Sequence, residues 1–103
     1  MKIQYSHEAR DDLRQIRAYY AERAGPEVAI QLVDGICETF EMLIRRHPTA
    51  GRRRPELGLE IRSVPIIPYV VFYGVDAGRV HVIRILHGHR DIRPPLASLL
   101  LAV

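Results

Sequence analysis

The sequence predicts an α+β fold in which an N-terminal strand leads into a two-helix antiparallel hairpin packed on a small antiparallel sheet. Three observations carry that expectation. Apolar residues recur at helical spacing twice in the first half of the chain, on either side of a Gly25-Pro26 break. The second half holds short runs rich in β-branched and aromatic residues. A turn signal, Asp76-Ala77-Gly78, splits the longest of those runs. At 103 residues the chain reads as one domain, residues 1–103, large enough for a core but not for a roomy catalytic cavity with its own lid.

Taken in order, Lys2 to Tyr5 alternates as a short edge or joining strand. Ser6 is a good N-cap, and Glu8 lies in the first turn, where a carboxylate suits the helix dipole. Ala9, Leu13, Ile16 and Tyr20 then give the apolar stripe of a helix that runs to Ala24. Gly25 ends it, and Pro26 starts a second helix with Glu27 in its first turn. That helix presents Ala29, Leu32, Val33, Ile36, Phe40, Leu43 and Ile44 on one face, and stops before Pro48 with Arg45, Arg46 and His47 at its negative end. So short a break forces the two helices antiparallel. Pro48 to Gly58, PTAGRRRPELG, reads as a loop. Leu59 to Val64 reads as a strand, and Tyr69 to Val75 with Val80 to Leu86 as a hairpin. The apolar tail, residues 94–103, suits either a short helix or an extra strand.

Composition narrows the function classes. No run approaches the roughly 18 apolar residues of a membrane span, and MKIQYSHEARDD turns polar and acidic too early for a signal peptide. One cysteine, Cys37, permits no internal disulfide, suits a reducing cytoplasm, and falls among apolar helix residues as a small core side chain. The net charge is +3, with fourteen Arg against one Lys. A basic surface rich in forked guanidinium donors suggests an acidic partner, nucleic acid or an acidic protein segment.

The hairpin decides which side chains share a face. A two-residue turn would put Ala77 at positive φ, so a three-residue loop, Asp76-Ala77-Gly78, is preferred and pairs Val75 with Arg79. Tyr69, Val71 and Tyr73 then share a face with His81, Ile83 and Ile85. Val70, Phe72 and Gly74 share the other with Val80, Val82, Arg84 and Leu86. The helices can cover only one of these apolar faces, and the other has only the tail to cover it. A cation among Phe72, Val82 and Leu86 needs a partner. Either Arg84 pairs internally with Asp91, Glu60 or Glu56, or it lies in an apolar groove that an acidic partner segment fills.

Other candidates follow from residue type. His81, His87 and His89 have the right pKa for acid–base work near neutrality. His87-Gly88-His89 at one strand end, with no Cys or third ligand near, falls short of a zinc pattern, so no metal and no cofactor is expected. Arg52-Arg53-Arg54 reads first as a solvated loop face, with phosphate contact the alternative. Tyr19, Tyr20, Tyr69 and Tyr73 read as packing.

Three stretches taken in order resemble one family. SHEARDDLRQIRAYYAERAGPEVAIQLVDGI is similar to the long helical hairpin of the ParE branch of the RelE/ParE superfamily, toxins of bacterial type II toxin–antitoxin systems. LIRRHPTAGRRRPELGLEIRSVP resembles its helix end, loop and second strand, and IPYVVFYGVDAGRVHVIRILHGHRDI its closing hairpin and His-Gly-x-Arg-Asp element. The resemblance implies a cytoplasmic plasmid-stabilisation toxin with a co-encoded ParD-like or other type II antitoxin that fills its apolar groove. It also implies DNA gyrase as target, reached by protein–protein contact, with no sequence-specific DNA binding by the toxin alone. The RelE-like alternative is a ribosome-dependent mRNA endonuclease. Its lysine positions fall near Gly58 and Glu60, its first arginine near Val70 and its tyrosine near Leu96, and only Arg90 survives. No catalytic residue is therefore favoured; a ribonuclease would have to use His87, His89 and Arg90. The contact surface implied for target and antitoxin is Arg84, His87, His89, Arg90, Val70, Phe72 and Leu86, with the C-terminal tail.

Overall fold

The computed structural model describes residues 1–58 and 60–88. Its elements are β1 (Lys2–Tyr5), α1 (His7–Ala24), α2 (Pro26–Arg46), β2 (Arg52–Arg53), β3 (Ile61–Ile66), β4 (Tyr69–Asp76) and β5 (Arg79–His87). His89, Arg90, Asp91 and the tail, like Leu59, lie outside the described residues.

Ser6 does cap α1: its Oγ accepts from the Ala9 N–H at 3.0 Å. Gly25 ends α1 and precedes α2 directly, its N–H bonded to the Ala21 carbonyl and its carbonyl accepting from Ala29. The helical stripes meet the sheet as their spacing dictates. Ala9 and Ile16 of α1 and Ile36, Phe40 and Ile44 of α2 are buried against Val64, Val71, Tyr73, Val80, Val82 and Ile85. Phe40 and Tyr73, both essentially inaccessible, meet edge to face with centroids 5.3 Å apart.

The sheet has five strands in the order β1-β5-β4-β3-β2. Three pairings are antiparallel, but β1 lies parallel to β5, with Ile3 opposite Val80 and Tyr5 opposite Val82, so the sheet is mixed where the sequence predicts an antiparallel one. The two helices and the β2–β4 segment form the crossover that a parallel pair requires. Tyr5 also ties β1 to α2 by donating to Glu41 Oε2 at 2.6 Å; burial and then this carboxylate push its phenol well above the ordinary tyrosine value.

Three local expectations are corrected. The loop from Pro48 to Gly58 contains β2, paired to β3 with Arg52 opposite Ser63 and Arg53 opposite Arg62. The next strand runs from Ile61 to Ile66, with Glu60 still in a turn after the Leu57 and Gly58 N–H groups both donate to the Arg54 carbonyl; Leu59, its expected start, lies outside the described residues. In the β4–β5 hairpin Asp76 pairs with Arg79, leaving a two-residue turn with Ala77 at φ 50 and Gly78 at φ 76. Positive φ at both central residues matches strand twist best, and that preference prevails over the steric strain at Ala77. Asparagine tolerates this conformation better than alanine. Ala77→Asn is therefore expected to stabilise the fold by about 0.5–1 kcal/mol, read as a raised urea midpoint at unchanged slope; a lowered midpoint would refute the assignment.

The fourth correction has wider effects. The β4–β5 register shifts between Phe72 and Tyr73: Tyr73 faces Val82 while Phe72 faces Arg84, so Ile83 is an extra residue on β5. The bulge exchanges faces on the turn side. Val80 and Val82 join Tyr69, Val71 and Tyr73 under the helices. Ile83 joins Val70, Phe72 and Leu86 on the outer face with Leu57 and Ile61. Phe72 and Leu86 are buried there, and the Arg54 guanidinium stands 5.6 Å from the Phe72 ring centroid.

Candidate interaction surface

A bulge leaves backbone groups without ladder partners, and a buried one must find them elsewhere. The start of α1 supplies them. The Ser6 N–H donates to the Val82 carbonyl at 2.9 Å, and Ser6 Oγ, besides capping the helix, donates to the Ile83 carbonyl at 2.8 Å. One turn on, Asp12 Oδ2 accepts from the Ile85 N–H at 2.9 Å. The same carboxylate takes a forked pair from Arg84, Nε to Oδ2 at 2.8 Å and Nη2 to Oδ1 at 3.0 Å. The partner of Arg84 is thus Asp12 of α1, not Glu56 or Glu60; Asp91 lies outside the described residues. This hydrogen bond, ahead of opposing burial, raises the Arg84 pKa. The arginine in the middle of an apolar strand anchors the bulge to the first helix.

Two concavities flank the clamp. Between the second half of α1 and the end of β5 lies a cleft of about 320 Å³ lined by Gln15, Tyr19, Tyr20, Tyr69 and His87. The exposed His87 stands edge-on to Tyr69 at 5.7 Å, and burial, then the neighbouring Tyr20 hydroxyl, keeps the Tyr69 phenol protonated well above its ordinary value. On the outer face a larger groove, about 640 Å³, runs over Ile61, Gly74 and Ile83, with Arg10, His81, Glu60 and Asp76 at its rim. Among the described residues, it is the part of the outer face that Leu57 and Arg54 do not cover. No group of three or more His, Cys, Asp or Glu side chains among the described residues is arranged to hold a metal ion. Cys37 is half-buried, and burial raises its thiol pKa.

Residues 3–92 match the family described as the ParE toxin of type II toxin–antitoxin systems, parDE. The chain belongs to the ParE toxin family. Among solved structures, the chromosomal ParDE TA system from P. aeruginosa aligns with a TM-score of 0.69 at 24% identity, covering 84% of this chain and 95% of that one, and shows the same fold. No curated protein matches at a significant level.

Within this ParE fold the sequence-predicted surface residues separate. Arg84 is committed to Asp12 and Phe72 and Leu86 are buried, whereas Val70 is half-buried and His87 exposed. His89 and Arg90 lie outside the described residues. Sequence reasoning missed Asp12, although the signal was present: it lies three residues after Ala9 and four before Ile16, within the buried stripe of α1. A carboxylate in that stripe requires a cation, and Arg84 is the strand cation in matching need. No helix among the described residues is long and apolar enough to cross a membrane.

Proposed function

We propose that this ParE-family protein inhibits bacterial DNA gyrase by protein–protein contact in the cytoplasm and is neutralised by a ParD-like antitoxin seated in the outer-face groove. The observation that carries the reading is the family match over residues 3–92. The groove supports the antitoxin part, because the half-buried Ile83 offers apolar surface ringed by both signs of charge, Arg10 and His81 with Glu60 and Asp76, which suits an amphipathic segment. Gyrase is favoured over ribosome-bound mRNA because an exposed Glu60 and a half-buried Val70 occupy positions where metal-free RNA cleavage needs cations. Arg84, the cation nearest the outer-face core, is held by Asp12 and is not free to meet a phosphate.

The test combines purified protein, gyrase, ATP and supercoiled plasmid, with cognate antitoxin added in a second arm. Loss of supercoiling with linear DNA released on denaturation is expected, and antitoxin restores activity. Ile83→Glu should still inhibit gyrase yet escape the antitoxin. An inert protein that instead cleaves mRNA on ribosomes would replace the gyrase reading with the endonuclease one. An Ile83→Glu variant neutralised as well as the parent would move the antitoxin off this groove.

A further inference from the structure

Charge is divided unevenly along this fold. Residues 7–44, the helical hairpin, carry eight carboxylates against four arginines, whereas residues 45–62 carry six arginines against two glutamates. The +3 net charge therefore understates how basic the β2–β3 end is.

Three of those six arginines are engaged. Arg45 pairs with Glu41, Arg54 with Glu56, and Arg62 Nη1 donates to the Thr49 and Gly51 carbonyls at 3.1 and 3.0 Å. The side chains of Arg46, Arg52 and Arg53 are exposed and take part in no ion pair or side-chain hydrogen bond among the described residues. Arg53 sits directly opposite Arg62, and like charges opposite one another destabilise a strand pair unless an anion comes between them. Arg54 N–H donates to the Ile61 carbonyl at 2.8 Å. By the alternation of an antiparallel ladder, the neighbouring Arg53 then directs its own N–H away from β3, toward the side of β2 that no described strand pairs. Arg52 and Arg53 point to opposite faces of that edge.

The edge is also held still. Tyr73 Oη accepts from the Gly51 N–H at 2.9 Å and donates to the Pro48 carbonyl at 3.0 Å, so the loop that delivers Arg52 is tied to the core. The backbone that carries the two guanidinium forks is thus positioned before an anion arrives, and the ordering cost of binding falls on the exposed side chains alone.

We propose that this edge is a sequence-independent contact surface for the phosphate backbone of double-stranded DNA, held by Arg52 and Arg53. A single strand is disfavoured because residues 45–60 contain no Phe, Tyr or Trp on which bases could stack. A protein strand added to β2 is disfavoured because the edge is two residues long and doubly charged. The surface is separate from the outer-face groove, and its test contains no gyrase, so its failure would leave the proposed function standing.

Fluorescence anisotropy with a labelled short duplex of arbitrary sequence reads the effect. The parent should bind with a steep salt dependence, and Arg52→Ala/Arg53→Ala should lower the log–log salt slope by about 2 and the affinity on the order of tenfold at low salt. Arg17→Ala, on the acidic hairpin, should change neither. Arg52→Lys/Arg53→Lys keeps the charges and should keep the slope, which guards against a folding defect in the alanine variant. DNA binding that survives the double alanine substitution would overturn the proposal. Equal affinity for polyglutamate at matched salt, lost in the same variant, would overturn it in favour of an acidic protein partner.

Discussion

Asp12→Ala should lower folding stability by about 3–5 kcal/mol, the usual result of breaking one side of a buried ion pair. The Asp12 and Arg84 side chains retain only 8% and 13% of their accessibility, so water can replace little of what is lost. Removing the carboxylate strands a guanidinium and also the Ile85 N–H, which shares Oδ2 with Arg84 Nε. The loss would be a large fraction of the roughly 5–15 kcal/mol that holds a typical domain together. Asp12→Asn keeps an acceptor oxygen for one of the two donors and should be milder. Asp12→Leu/Arg84→Met removes both charges and should recover most of the single-variant loss, since an apolar pair of similar volume is often neutral. Urea unfolding at constant slope distinguishes these cases. A loss below about 1 kcal/mol for Asp12→Ala would mean that the pair behaves as a solvated surface bridge.

That clamp also marks the limit of what the sequence discloses. Local rules place both helices, since the Ser6 cap, the Gly25-Pro26 break and the two apolar stripes act within a few residues of one another. The hairpin strands are legible for the same reason. Their register is not, because the bulge at Ile83 has no local signature; it exists because Ser6 and Asp12, more than seventy residues earlier, satisfy the carbonyls and N–H that it frees. One inserted residue exchanges every side chain beyond it, which is why Val80 and Val82 lie under the helices and Ile83 reaches the outer groove. β2 is hidden in the same way. Its residues are arginines without apolar alternation, and what makes them a strand is the hold of Tyr73 and Arg62 on the preceding loop. The candidate site was legible as chemistry, an apolar sheet face with cations near it. Its position was not, because the bulge and the Leu57 turn decide which part of that face the described residues leave open.

Gly51→Val should cost about 2–3 kcal/mol, from overpacking and from a lost buried hydrogen bond. Room is the reason for glycine here. A Cβ at Gly51 would lie 2.5 Å from Tyr73 Oη, 2.7 Å from Tyr73 Cε1 and 3.0 Å from the Ser63 carbonyl oxygen. Neither neighbour yields easily, since Ser63 is held in β3 and the Tyr73 ring is sealed against Phe40. The smaller Gly51→Ala already meets these contacts. In that background Tyr73→Phe removes the nearest atom but leaves the ring carbon, so rescue should be partial, with a coupling of about 1 kcal/mol in a double-mutant cycle. Titration supplies an independent readout. Burial raises the Tyr73 phenol pKa, opposed by the Gly51 N–H, so a ring displaced into solvent should titrate lower, toward ordinary tyrosine. Wild-type stability in Gly51→Ala, with an unchanged titration, would show that the loop swings aside without strain. A displaced loop would also misplace Arg52 and Arg53, so Gly51→Ala should weaken duplex binding without removing a single charge. That outcome would separate a surface that depends on geometry from one that depends only on net charge.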